Sequence, residues 1–173
     1  MLPRTLHQIG VATVSYNRTL REWETETEQS LLSFPAGKSG EAAARWKAIE
    51  LSNPALFIIL KKMIANYPEL QSRAWKIGEL ILNGHVKLVP SPPDEGLFAT
   101  VKSRTRDDVT HDITFDGYHF RCTCEDFWKD NCPRIRWHSQ RTCTHVAATM
   151  ATRHIQQEES PYEPITTEAA LPY

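Results

Sequence analysis

Two short runs, Cys122-Thr123-Cys124 and Cys143-Thr144-His145, constrain this chain more than any other feature. They place four zinc-preferring side chains in two tight pairs, with eighteen residues between the pairs. In an extended strand, residues two apart point to the same side. Cys122 and Cys124 at a strand end can therefore aim at one ion. On a helix, residues two apart do not face each other. Cys143 is accordingly expected just before a first helical turn, with His145 inside it. Three thiolates and one imidazole fill a tetrahedral zinc shell, and a filled shell marks a structural site because no position is left for water or substrate. The competing reading is that the chain's four cysteines are small buried hydrophobes. Three of them beside one another and a histidine favour metal. A C-x-C disulfide is badly strained, and no signal peptide sends the chain to an oxidising compartment. Cys132 and His138 leave two rival shells open: Cys122, Cys124, Cys132 and Cys143, or a set in which His138 replaces one ligand.

The residues around the pairs match a family pattern as well. C-x-C, a long spacer and C-x-H resemble the SWIM-type zinc finger. The stretch RAWKIGELILNGHVKLV is similar to that family's lead-in helix, turn and strand. CTCEDF resembles its Cys-x-Cys-Pro-Asp-Phe, with Glu125 where proline is common. CTHVAATMA is similar to its Cys-Lys-His helix, with Thr144 where lysine is common. The resemblance covers about residues 73–153 and none of the first seventy. It implies Zn2+ held by Cys122, Cys124, Cys143 and His145, with Cys132 a bystander. It also implies DNA binding or protein interaction, with no preferred sequence.

Composition sets outer bounds. The 173 residues suffice for one ordinary domain, or a small domain with a helical extension. Apolar content of 40% supports a packed core. The longest apolar run, Ala55–Leu60, is far too short to span a membrane. Met1–Gly10 has no apolar stretch behind Arg4, so an intracellular chain is expected. The formal net charge of −1 excludes a generic polyanion binder, so any nucleic-acid contact must come from a local patch.

Along the chain, Met1–Tyr16 reads as a short strand or an irregular lead. Asn17–Phe34 is expected to be a helix with Leu20, Trp23, Leu31 and Leu32 as apolar members. Its acidic run Glu22, Glu24, Glu26 and Glu28 is a solvated face or a docking surface for a basic partner. Pro35–Gly40 reads as a linker, and it lacks phosphate-loop spacing. Helices follow over Glu41–Leu51, from Pro54 to about Tyr67 with Ser52 or Asn53 as cap, and over Glu69–Leu82, closed by Asn83-Gly84. Three such helices resemble a helix-turn-helix, but neither the second nor the third carries a typical reading face, so a plain helical packing unit is expected. Strands are expected at His85–Val89, Leu97–Ser103, Val109–Phe115 and Tyr118–Cys122, with a hairpin at Asp116-Gly117. Glu125–Lys129 is one helical turn, and the last helix runs from about Cys143 to Gln157. The expected class is α+β: a helical amino-terminal region (1–68), a β-hairpin-plus-helix zinc module with its lead-in helix (69–157), and an acidic tail (158–173) expected to be mobile.

The insert between the ligand pairs supplies the basic patch. Arg134, Arg136, Trp137, His138 and Arg141 lie there, with no acid from Cys132 to His145. Guanidinium groups bind phosphate in a bidentate manner and an aromatic ring stacks on an unpaired base. Arg134, Arg136, Trp137 and Arg141 are therefore the candidate nucleic-acid contacts; the competing reading is a solvated loop. Trp128 is expected to shelter the small zinc core. No nucleophile elbow, H-E-x-x-H or carboxylate set points to an enzyme or a small-molecule substrate. The expected function is a non-enzymatic zinc module that binds nucleic acid, DNA ahead of RNA, as an accessory subunit of a larger complex. The alternative is a zinc-stabilised protein-interaction adaptor with no nucleic-acid contact.

Overall fold

The first turns of the chain are set by polar side chains. Asn17 Oδ1 accepts the backbone N–H groups of Thr19 and Leu20, and Thr27 Oγ1 accepts those of Gln29 and Ser30. Such side chains offer the backbone an alternative to a helix. In the computed structural model, which describes residues 6–90, 95–106, 108–135 and 140–159, these turns separate strands. β1 (Leu6–Ile9), β2 (Ala12–Asn17), β3 (Glu22–Glu26) and β4 (Leu31–Pro35) form an antiparallel meander in that order. The helix expected over Asn17–Phe34 is therefore not formed, and the amino-terminal region is not wholly helical. Glu22, Glu24 and Glu26 alternate with Trp23 and Thr25, and that period of two belongs to a strand. Val14, Thr25 and Leu32 are cross-strand partners on one face, as are Tyr16, Trp23 and Phe34. The three glutamates occupy the other face.

α1 (Lys38–Ser52) crosses this sheet. Thr25 Oγ1 donates to the Ala44 carbonyl at 2.8 Å across the contact. The stretch read as a linker is tight: Gly40 lies in the first turn of α1, and a Cβ there would stand 1.6 Å from the Pro35 carbonyl oxygen. α2 (Pro54–Asn66) begins as expected, with Asn53 Oδ1 capping Leu56 N–H and Pro54 in the first turn. After a 3₁₀ stretch, Pro68–Arg73, α3 (Ala74–Leu82) buries Ile77 and Leu80 and ends before Gly84, at φ 64°.

The second sheet is also an antiparallel meander: β5 (Val86–Leu88), β6 (Glu95–Lys102), β7 (Thr110–Asp116) and β8 (Phe120–Cys122). Asp116 Oδ1 accepts the N–H groups of Tyr118 and His119, and Gly117 supplies the positive φ of 88° in the β7–β8 turn. α4 (Glu125–Trp128) is the expected single turn, and a small hairpin pairs β9 (Arg134–Ile135) with β10 (Gln140–Arg141). α5 (Thr144–Glu159) packs on α3 on one side and on the second sheet on the other. Its buried residues Val146, Ala147, Ala148 and Ala151 are small, which permits close approach. One apolar cluster runs without a break from Ile9 to Ala151. The chain is thus α+β, with helices between two antiparallel meanders. Of the tail over 158–173, the first two residues continue α5 and the rest lies outside the described residues. No helix among the described residues is long and apolar enough to cross a membrane.

Candidate metal centre

Pairing within the second sheet determines which side chains meet α5. Ala99, Ile113 and Cys122 are partners across three strands, and so are Val86, Val101 and His111. All six side chains therefore share the inner face. Cys124 follows in extended backbone (φ −71°, ψ 150°) just before α4, so its side chain returns to the side of Cys122. Cys143 immediately precedes α5, its carbonyl accepting the Ala147 N–H at 3.0 Å, and His145 lies in the first turn.

The four side chains converge. One ligand atom from each of Cys122, Cys124, Cys143 and His145 lies within 4.8 Å of all the others. His145 Nδ1 faces Cys122 Sγ at 3.9 Å. A tetrahedral shell with Zn–S near 2.3 Å and Zn–N near 2.0–2.1 Å has edges of roughly 3.6–3.8 Å, so the group needs little adjustment to close on one ion. Cys124 N–H points at Cys122 Sγ at 3.4 Å, the kind of backbone donor that steadies a thiolate. All three cysteines are buried.

Electrostatics give the same picture. Three thiols so close together cannot all ionise unaided. Hydrogen bonds from Cys122 and then Cys143 hold the Cys124 thiol far below its usual range. Its hydrogen bond with Cys124 pushes Cys122 up to about 12. Hydrogen bonds with Cys122 and then Cys124 push Cys143 up as well. A bound dication is the counter-charge that lets all three deprotonate.

Cys132 is buried but lies outside this group, and burial raises its thiol. His138, the other rival ligand, lies outside the described residues, as do Arg136 and Trp137. Arg134 is exposed on β9. Arg141 is engaged inside the module: its Nη1 donates to the carbonyls of Phe127 and Trp128, each at 3.2 Å. The sequence reading missed that task. It also missed Gln140, whose amide exchanges two 2.8 Å hydrogen bonds with the Phe120 backbone and ties the insert to β8. Trp128 lies on the surface beside Cys122 and Thr123 and is not the buried aromatic of this region. It is 62% exposed, and Phe127 takes the buried place behind it.

His111 is a further resident of the site. Its ring packs 4.5 Å from that of His145, at 38°. Burial, then the nearby His145, lowers its pKa and favours the neutral form. Strand register puts His111 on the inner face with Ile113 and beside His145, a placement that its sequence spacing does not reveal. Comparison with known protein families, with curated proteins and with solved structures finds no match for this chain. Fold and site together define an α+β protein with a Cys3His cluster able to hold a metal ion.

Proposed function

We propose that the chain is a zinc-binding, non-enzymatic module of the SWIM type that contacts nucleic acid, DNA ahead of RNA, within a larger complex. The observation that carries the metal part is the convergence of Cys122, Cys124, Cys143 and His145. Three thiolates and an imidazole suit zinc better than the harder divalent ions. Four protein ligands leave no open position, so the ion's role is to knit the β7–β8 hairpin to the start of α5.

The nucleic-acid part is supported by the outer face of the second sheet. Lys87, Thr100 and Asp112 form one cross-strand row there; Lys102 pairs with Thr110, and Thr114 with Arg121. Hydroxyls and long cationic side chains on a polar sheet face suit a phosphate backbone, although Arg121 already pairs with Asp116 at 3.1 Å on that face. Arg134 adds an exposed guanidinium beyond the sheet. The acids Glu125, Asp126 and Asp130 around Trp128 turn the path away from α4. The adaptor reading is favoured by exposed apolar side chains, Leu31, Ile58 and Trp128 among them.

Fluorescence anisotropy on labelled single-stranded and duplex DNA and RNA, at two salt concentrations, tests the reading. Replacing Lys87, Lys102 and Arg121 with alanine should weaken binding to all sequences alike, and the duplex salt slope should shrink by roughly 0.9 per lost contact. Absence of binding to every polymer at low salt would leave the adaptor as the function.

A further inference from the structure

Away from the metal cluster, α2 and α5 stand on either side of an open cavity of about 320 Å³. That is the lower end of the range for built binding sites. Its walls are mostly apolar, with Ile59 and Met63 from α2, Leu70 from the 3₁₀ stretch, Ile135 from β9 and Met150 from α5, and with Asn66 and Tyr67 at the end of α2. Lys62 and His154 stand on the two helix walls, and no carboxylate lines the cavity among the described residues. The apolar surface continues over α2, where only Leu56 and Leu60 are buried and Ile58 is exposed.

Three physical points narrow the occupant. A slot between two helices has the ridges and grooves that a third helix fills. Lys62, with no carboxylate lining the cavity among the described residues, complements an acidic side chain. Methionines on both walls, Met63 and Met150, adapt their shape to an incoming side chain. We infer that this groove docks an amphipathic helix of a partner protein, with an apolar stripe at i, i+3/i+4 and i+7 flanked by glutamate or aspartate. The interaction is distinct from the nucleic-acid reading, because the groove shares no residue with the outer face of the second sheet.

The test uses the full metal-loaded chain and two fluorescein-labelled synthetic helical peptides of about sixteen residues, long enough to hold a helix. Both present the same leucine stripe; one is flanked by glutamates, the other by lysines. The glutamate peptide should bind about fivefold or more tighter, and Lys62→Glu, a surface change that leaves the core untouched, should erase or reverse that preference. Met63→Glu should weaken the glutamate peptide most. Equal binding of the two peptides, or a preference that survives Lys62→Glu, would overturn the inference. So would binding of dodecanoate in place of either peptide, self-association of the chain through this face, or binding of neither peptide. Loss of nucleic-acid binding would leave the result unchanged, so the two readings fail separately.

Discussion

At the scale of single residues, the thiols decide how the site takes up metal. In the metal-free chain the three thiols share their protons: their mutual hydrogen bonds lower Cys124 and raise Cys122, to about 12, and Cys143, so protons remain on the cluster at neutral pH. A dication must displace those protons, so about two leave per ion bound. The sign follows: affinity rises as pH rises through neutrality and falls on acidification. Calorimetry of zinc binding in buffers of different ionisation enthalpy should return about two protons; a value near zero would mean the thiolates exist before metal arrives. Metal analysis completes the assignment. Cys124→Ser, Cys143→Ser and His145→Ala should each lose the bound ion, whereas Cys132→Ser should retain about one equivalent. Retention by His145→Ala together with loss by Cys132→Ser would replace the ligand set.

At the scale of elements, legibility followed how local the determinants are. Asn53 and Pro54 at the start of α2, Gly84 after α3, and Asp116-Gly117 between β7 and β8 are neighbours of the structures they set, and each could be read directly. The ligand pairs were readable for the same reason, since each needs only two residues of backbone. The first meander was not. Its glutamates obscured the alternation of Trp23 and Thr25, and its turns depend on Asn17, on Thr27 and on Arg21 at φ 58°. The groove between α2 and α5, and the place of His111 beside His145, exist only once distant elements meet. So does the contact between α1 and α3. Arg45 is 1% exposed on α1, bonded to Glu41 at 2.9 Å and to Glu79 of α3 at 3.3 Å, with Trp75 4.5 Å beneath its guanidinium. Burial raises the Glu79 carboxyl, and Arg45 and Arg104 oppose the shift. Glu79→Ala leaves a buried cation with Glu41 as its remaining carboxylate among these partners. The expected cost is about 3–5 kcal/mol, read as a lower urea midpoint. A loss under about 1 kcal/mol would show that Glu41 suffices, as an exposed pair would predict.

At the scale of the molecule, a continuous core joins two sheets, and among the described residues only the second carries a residue of the Cys3His cluster. The first meander packs on α1, with Asn83 after α3 also bonded to Gln8 and Gly10, and α1 packs on α2 and α3. None of these elements carries a ligand. The cluster residues lie at the end of β8, before α4 and at the start of α5, so an ion held there would add a direct tie to the packing and hydrogen bonds that already join these segments. α4 is one turn, and β9 and β10 have two residues each. Such short pieces do not stay ordered without an anchor. The later part of α5 carries Ala148 and Ala151 in the core and no residue of the cluster. Chelation should therefore open the molecule from one end. Amide exchange should rise first in β8, α4, the β9–β10 hairpin and the first turn of α5, while β2, β3 and α1 keep their protection. With zinc at about a thousand times its dissociation constant, the ion contributes about 4 kcal/mol. For a chain of this size its removal should lower the melting temperature by roughly 8–16 °C. Exchange that rises equally in β2 and β8 would mean that both sheets unfold as one unit. Unchanged exchange in α4 and β8 would mean that packing, and not the ion, holds the carboxy-terminal sheet to α5.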